Sequence, residues 1–171
     1  MASTTLYPNG DGTISGIISG TAGPPYYVNV DEGTASPNDA DSIVPMASGH
    51  IFLLLTDTPA NADTITAVTV KMRTSNASKG DTAVSSFQLF QSNESTALTG
   101  QTTITGSTTV TTYTFNPSIT GATTKAAWDG ARLKVSFTGT SGFANFYACQ
   151  VEVTYSAASG ASYTSSVLMT F

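Results

Sequence analysis

Three stretches of this chain change side-chain character at every second residue. Val68, Val70 and Met72 alternate with Thr69, Lys71 and Arg73, and Leu133, Val135 and Phe137 with Arg132, Lys134 and Ser136. Tyr147, Cys149, Val151, Val153 and Tyr155 alternate with Ala148, Gln150, Glu152 and Thr154. Successive side chains of a strand point to opposite faces, so this period puts one set in a core and the other in water. Weaker strand patterns cover 13–18, 26–30, 50–56, 83–90, 101–105, 109–115 and 162–170, punctuated by Gly, Pro, Asn and Asp. The run Ile51-Phe52-Leu53-Leu54-Leu55, closed by Asp57 and Pro59, reads as a core strand, being far shorter than the roughly 20 residues that span a bilayer.

Helical spacing is absent. No segment repeats apolar residues at i, i+3, i+4 and i+7 over three turns, and Thr124-Lys125-Ala126-Ala127-Trp128 is long enough for one turn only. About ten short strands without crossover helices favour antiparallel pairing, and their number suits two packed sheets. The pattern predicts an all-β protein: an antiparallel β-sandwich, jelly-roll-like, with minimal helix. One domain is expected over 1–155, followed over 156–171 by a connector, Ser156-Ala157-Ala158-Ser159-Gly160, and a C-terminal strand or arm. A chain of 171 residues suits a single core.

Composition narrows the function. Charged residues make up 10% against a usual value of about 25%, while about fifty Ser and Thr supply the polarity. The chain holds one His, one Cys and six Lys plus Arg, which removes most of the means of acid-base, redox and metal chemistry. Lys71, Arg73, Lys79, Lys125, Arg132 and Lys134 are scattered and the net charge is -5, so nucleic acid is not an expected partner. Cys149 has no partner for a disulfide within the chain and lies in an alternating strand, which reads as a small buried hydrophobe. The start, Met1-Ala2-Ser3-Thr4-Thr5, lacks the basic and apolar parts of a secretory signal, so synthesis in the cytoplasm is expected. Asn76-Ala77-Ser78 and Asn93-Glu94-Ser95 match a glycosylation pattern that short sequences reach by chance.

Candidate chemistry is sparse. Ser48, His50 and Asp57 supply the residue types of a hydrolase triad, but no nucleophile elbow surrounds Ser48. Eleven scattered acids give no preferred pair for glycoside hydrolysis, and a non-enzyme is expected. Asn38, Asp39 and Asp41, or Asn9 and Asp11, could ligate calcium, yet Asx residues also build turns by bonding their own backbone; no cofactor or metal is assigned. Tyr26, Tyr27 and Trp128 are the possible surface aromatics for stacking on glycans, and the alternative is that they close the ends of the core.

Two segments carry a family likeness. Tyr7-Pro8-Asn9-Gly10-Asp11-Gly12, then Tyr27-Val28-Asn29-Val30-Asp31-Glu32 and Asn38-Asp39-Ala40-Asp41-Ser42-Ile43, resemble the opening of small virion proteins of tailed bacteriophages. Trp128-Asp129-Gly130-Ala131-Arg132-Leu133-Lys134-Val135, leading into residues 147–155, is similar to the closing hairpin of that group. The resemblance implies a capsid decoration, or cement, protein on the outer face of a phage head, without catalytic residues. It would bind the major capsid protein across capsomer junctions, with a homotrimer the expected form. A tail-fibre or baseplate module and a carbohydrate-binding module are the alternatives, and no membrane partner is implied. Tyr163, Val167, Leu168, Met169 and Phe171 place apolar side chains beyond the connector, which predicts a partner-binding arm that adds to a neighbouring sheet. A last strand closing its own sandwich is the other reading.

Overall fold

The computed structural model describes residues 1–16, 18–20, 23–75, 84–104, 109–137 and 145–158. Their architecture is the expected all-β antiparallel sandwich of two sheets. The first strands in the chain are β1 (Ala2–Leu6), β2 (Pro8–Ser15), β3 (Ile18–Gly20), β4 (Ile43–Pro45) and β5 (Gly49–Leu55). The others are β6 (Ala62–Thr74), β7 (Ser86–Phe90), β8 (Thr102–Thr103), β9 (Thr111–Phe115), β10 (Arg132–Phe137) and β11 (Phe146–Ala157). One sheet runs β3-β4-β11-β6-β9, with β1 lying along β11; the second runs β2-β5-β10-β7-β8.

Among the described strands the chain crosses between the sheets at almost every step, pairing sequence neighbours only at β3-β4 and β7-β8. That jelly-roll-like path replaces the closing hairpin expected over 128–155, because β10 and β11 lie in opposite sheets. The alternation still sets which side chains enter the core. Val70, Met72, Val135, Cys149, Val151 and Val153 are fully buried between the sheets, joined by Ile51, Leu53, Phe87 and Leu133. Cys149 is the buried hydrophobe that its strand implies, and burial drives its thiol far above the ordinary range.

Two local expectations are corrected. The segment read as a strand over 26–30 is a 3-10 turn, Tyr26–Asn29, because the Asp11 carboxylate accepts the Tyr26 and Tyr27 backbone N–H groups at 2.6 and 2.7 Å. The Pro8-to-Gly12 stretch, which the expected strands leave out, is strand: β2 pairs with β5 despite its Asn and Gly residues, with register shifts absorbing the irregularity. Tyr7 is the corner where the chain leaves β1 for the other sheet; it exchanges backbone contacts with Thr56, donating to Oγ1 at 3.2 Å and accepting from the N–H at 3.0 Å. Among the described residues the one α-helical turn is α1 (Lys125–Trp128), where a single turn was expected. β11 continues two residues beyond 155, and the segment 162–170 lies outside the described residues.

Candidate functional site: the outer face of the five-stranded sheet

The side chains that point away from the core of the second sheet form three rows, fixed by strand register. His50, Ser136 and Ser86 lie abreast across β5, β10 and β7; Phe52, Lys134 and Gln88 form the next row, and Leu54, Arg132 and Phe90 the third. Their neighbours in sequence, Ile51, Leu53, Val135, Leu133, Phe87 and Leu89, are buried in the core, so the outward set follows from the pleat. Phe52 is the floor of the middle row. The His50 ring meets it edge-on at 5.5 Å, Phe90 meets it at 5.5 Å and 74°, and Lys134 Nζ stands 5.6 Å from its centroid.

Beside Lys134 a small cleft of about 40 Å³ opens between Ser86, Gln88, Gln101 and Ser136. Its walls are held by hydrogen bonds. Gln101 Nε2 donates to Ser86 Oγ at 2.8 Å, and Gln88 Nε2 donates to the Thr99 carbonyl at 2.8 Å. Burial and the nearby Lys134 charge hold the His50 imidazole below its usual pKa, against a weaker opposite pull from Glu94.

The far corner of the face is closed by the 91–96 loop. Glu94 sits in the left-handed backbone region with φ 57°, and its carboxylate accepts from Arg132 Nη1 and, at 3.1 Å, from the Thr13 backbone N–H. Burial pushes the Glu94 carboxyl up, but these hydrogen bonds and the Arg132 charge outweigh it and leave the pKa lowered. Arg132 Nε is buried with no hydrogen-bond partner. Gly12 makes room for this pair: a Cβ there would lie 2.9 Å from Phe52 Cβ and 3.0 Å from Arg132 Nη1.

The residues singled out from the sequence lie elsewhere. Trp128 is no surface aromatic. It is fully buried, and its indole N–H donates to the Ala122 carbonyl at 2.9 Å, since a large ring is worth most inside once its one donor is matched. Tyr26 and Tyr27 are half-buried and pack against the core. Tyr163, Val167, Leu168, Met169 and Phe171 lie outside the described residues.

His50 and Asp57 are separated by nearly all of β5, roughly 17 Å of extended chain, so no triad forms; Asp57 instead accepts the Gly130 N–H at 2.9 Å. In the 38–41 loop Asn38 Oδ1 accepts the Ala40 N–H at 3.1 Å, an Asx turn, while Asp39 is bound by Arg73 and Asp41 by Asn38. Among the described residues no three His, Cys, Asp or Glu side chains come together as a metal site. The face itself carried one legible signal, the outward Arg132, Lys134 and Ser136 of an alternating strand. Which strands flank it was not legible.

No known family and no curated protein matches this chain. Among solved structures it is similar to the enzymatically active domain of bacteriophage CBA120 tailspike protein 4, at 13% identity and a TM-score of 0.47, over 89% of this chain and 19% of that one. It thus spans about a fifth of the tailspike chain. It is also similar to the C-terminal CBM6 of LamC, a marine laminarinase from Zobellia galactanivorans, at 9% identity and a TM-score of 0.44, over 90% of this chain and 100% of that one. A third likeness is to the CBM35 of Cellvibrio japonicus Abf62, at 15% identity and a TM-score of 0.44, over 94% of this chain and 99% of that one.

Proposed function

We propose that this chain is a non-enzymatic carbohydrate-binding module whose binding surface is the outer face of the five-stranded sheet. The observation that carries the reading is the pairing, on one rigid sheet, of half-exposed rings at His50 and Phe90 with a cleft of amides and hydroxyls at Gln88, Gln101, Ser86 and Ser136. A sugar ring presents C–H groups on its faces and hydroxyls around its rim. Rings complement the first and amides the second, and a sheet holds both without ordering a loop on binding.

Hydrolysis does not suit this face. A glycosidase needs two carboxyl groups about 5 to 9.5 Å apart, one of them free to exchange a proton. Glu94 is the carboxylate at this corner, and Arg132 and Thr13 N–H occupy it. The virion role that the resemblance implies is compatible with such a face, since a particle can carry a sugar-binding module. The arm proposed to contact a capsid concerns residues beyond those described.

The test is affinity electrophoresis of the protein through gels holding a panel of neutral and acidic polysaccharides. At least one polymer should retard it, and the Phe90→Ala/Gln88→Ala double variant, shown to be folded by circular dichroism, should migrate freely through that gel. Free migration of the wild type in every gel, or undiminished retardation of the variant, overturns the proposal.

A further inference from the structure

The charge balance of the two outer faces differs. On the six-stranded sheet each outward cation has its acid: Lys71 Nζ lies 3.8 Å from Glu152, and Arg73 grips Asp39 through Nε at 2.6 Å and Nη2 at 2.5 Å. On the five-stranded sheet Arg132 is matched by Glu94. Lys134 is not matched. Among the described Lys and Arg side chains it is the one with no carboxylate partner, and what it touches is the face of Phe52 and the edge of the cleft.

A half-buried ammonium without a counter-charge costs stability, and the quadrupole of one ring offsets only part of that. The cleft compounds the imbalance because it is rich in donors. Ser86 Oγ already accepts from Gln101, so its proton is left to give outward; the Ser136 hydroxyl and the three ammonium protons add to it. At about 40 Å³ the space takes two or three water-sized groups, which matches the two oxygens of a carboxylate better than a whole sugar ring. Net charge on the chain is -5, so no long-range field draws a polyanion here, and an acidic ligand must be held by local contacts.

Resting on the carbohydrate-binding reading above, we propose that the ligand is an acidic glycan. Its uronate carboxylate enters the cleft, pairs with Lys134 Nζ and accepts hydrogen bonds from the hydroxyls of Ser86 and Ser136. Gln88 Oε1 and Gln101 Oε1, whose amide nitrogens are committed elsewhere, then accept from hydroxyls of the same or the adjoining sugar.

Wild-type protein is run through gels containing polygalacturonate, alginate or hyaluronan, and through gels of the same three polymers after carboxyl reduction. At least one native polymer should bind. Its reduced form should bind roughly tenfold more weakly, a change of about 1.4 kcal/mol. Lys134→Met, with an unchanged melting temperature, should lose a similar factor on the native polymer, and Lys134→Arg should recover part of it. Equal binding of native and reduced polymers overturns the acidic-sugar assignment and leaves the carbohydrate-binding reading standing, as does retardation by neutral polysaccharides with none by the three uronates. Binding to no polymer of either panel removes both.

Discussion

Glu94 is the residue where local cost and tertiary gain meet most directly. A non-glycine in the left-handed region is disfavoured by about 1–2 kcal/mol, and only surrounding contacts keep it there. Asn93 supplies some of them: its Oδ1 accepts the Ser95 and Thr96 N–H groups at 3.0 and 2.9 Å while Nδ2 donates to Thr96 Oγ1 at 2.9 Å. The Gln91 carbonyl accepts the Glu94 N–H at 3.0 Å, and Arg132 and Thr13 add contacts from β10 and β2. Glu94→Gln removes the charge but keeps the shape, leaving a largely buried guanidinium without its acid. We expect a loss of about 1–3 kcal/mol in urea unfolding at neutral pH. An unchanged urea midpoint would show that the ion pair contributes nothing to folding.

At the scale of elements, the turn at Tyr26–Asn29 depends on a carboxylate fifteen residues upstream of its first residue. Two adjacent tyrosines and a valine read locally as strand formers, and the residue that precedes the turn, Pro25, makes no side-chain capping hydrogen bond. Asp11 substitutes for the missing cap by presenting both carboxylate oxygens to the first two N–H groups. Asp11→Ala should therefore cost about 1–2 kcal/mol in chemical unfolding, with Asp11→Asn retaining part of the effect through its one remaining carbonyl oxygen. Equal stability of all three proteins would place the capping energy elsewhere. The same dependence makes β2 legible only after folding, since its Asn9, Gly10 and Gly12 are turn formers locally and become strand because β5 supplies their partners.

For the whole molecule, pH tests the charge pattern. Glu94, Asp39 and Asp129 all have folded pKa values below their ordinary ones. For Asp39 the cause is the Arg73 hydrogen bond; for Asp129 burial pushes up, but Lys125 and Thr58 prevail. Groups lowered in this way contribute stability that is full above their unfolded values of 4.5 for Glu and 3.8 for Asp and is lost as pH falls through the folded ones. Glu32, raised chiefly by burial, works in the opposite direction over the pH range above 4.5. His50 acts earlier: below 6.5 the unfolded imidazole takes up a proton that the folded one resists, so stability falls there too. Melting temperature should decline in two stages on acidification, and His50→Gln should abolish the first while leaving the second. Persistence of the first stage in that variant would assign it to another group.

Sequence alone determined the sheet class, the inward and outward sets of β6, β10 and β11, the burial of Cys149 and the single turn ending at Trp128. Each of these is written in spacing over a few residues, where the pleat of a strand leaves two choices and hydrophobicity selects one. Tertiary structure decided which strands lie side by side. With nearly every connection crossing between sheets, neighbours in space are distant in sequence, and no local pattern encodes their order. The candidate face is a product of that order: His50, Lys134, Gln88 and Phe90 come from three strands, and Glu94 reaches Arg132 from a loop thirty-eight residues away. Of the aromatics that stood out in the sequence, Trp128 went to the core and Tyr26 and Tyr27 pack half-buried against it, because burying a large ring stabilises the fold more than exposing it. The residues left on the outer face, among them Lys134, Gln88 and Phe90, took their meaning from their neighbours.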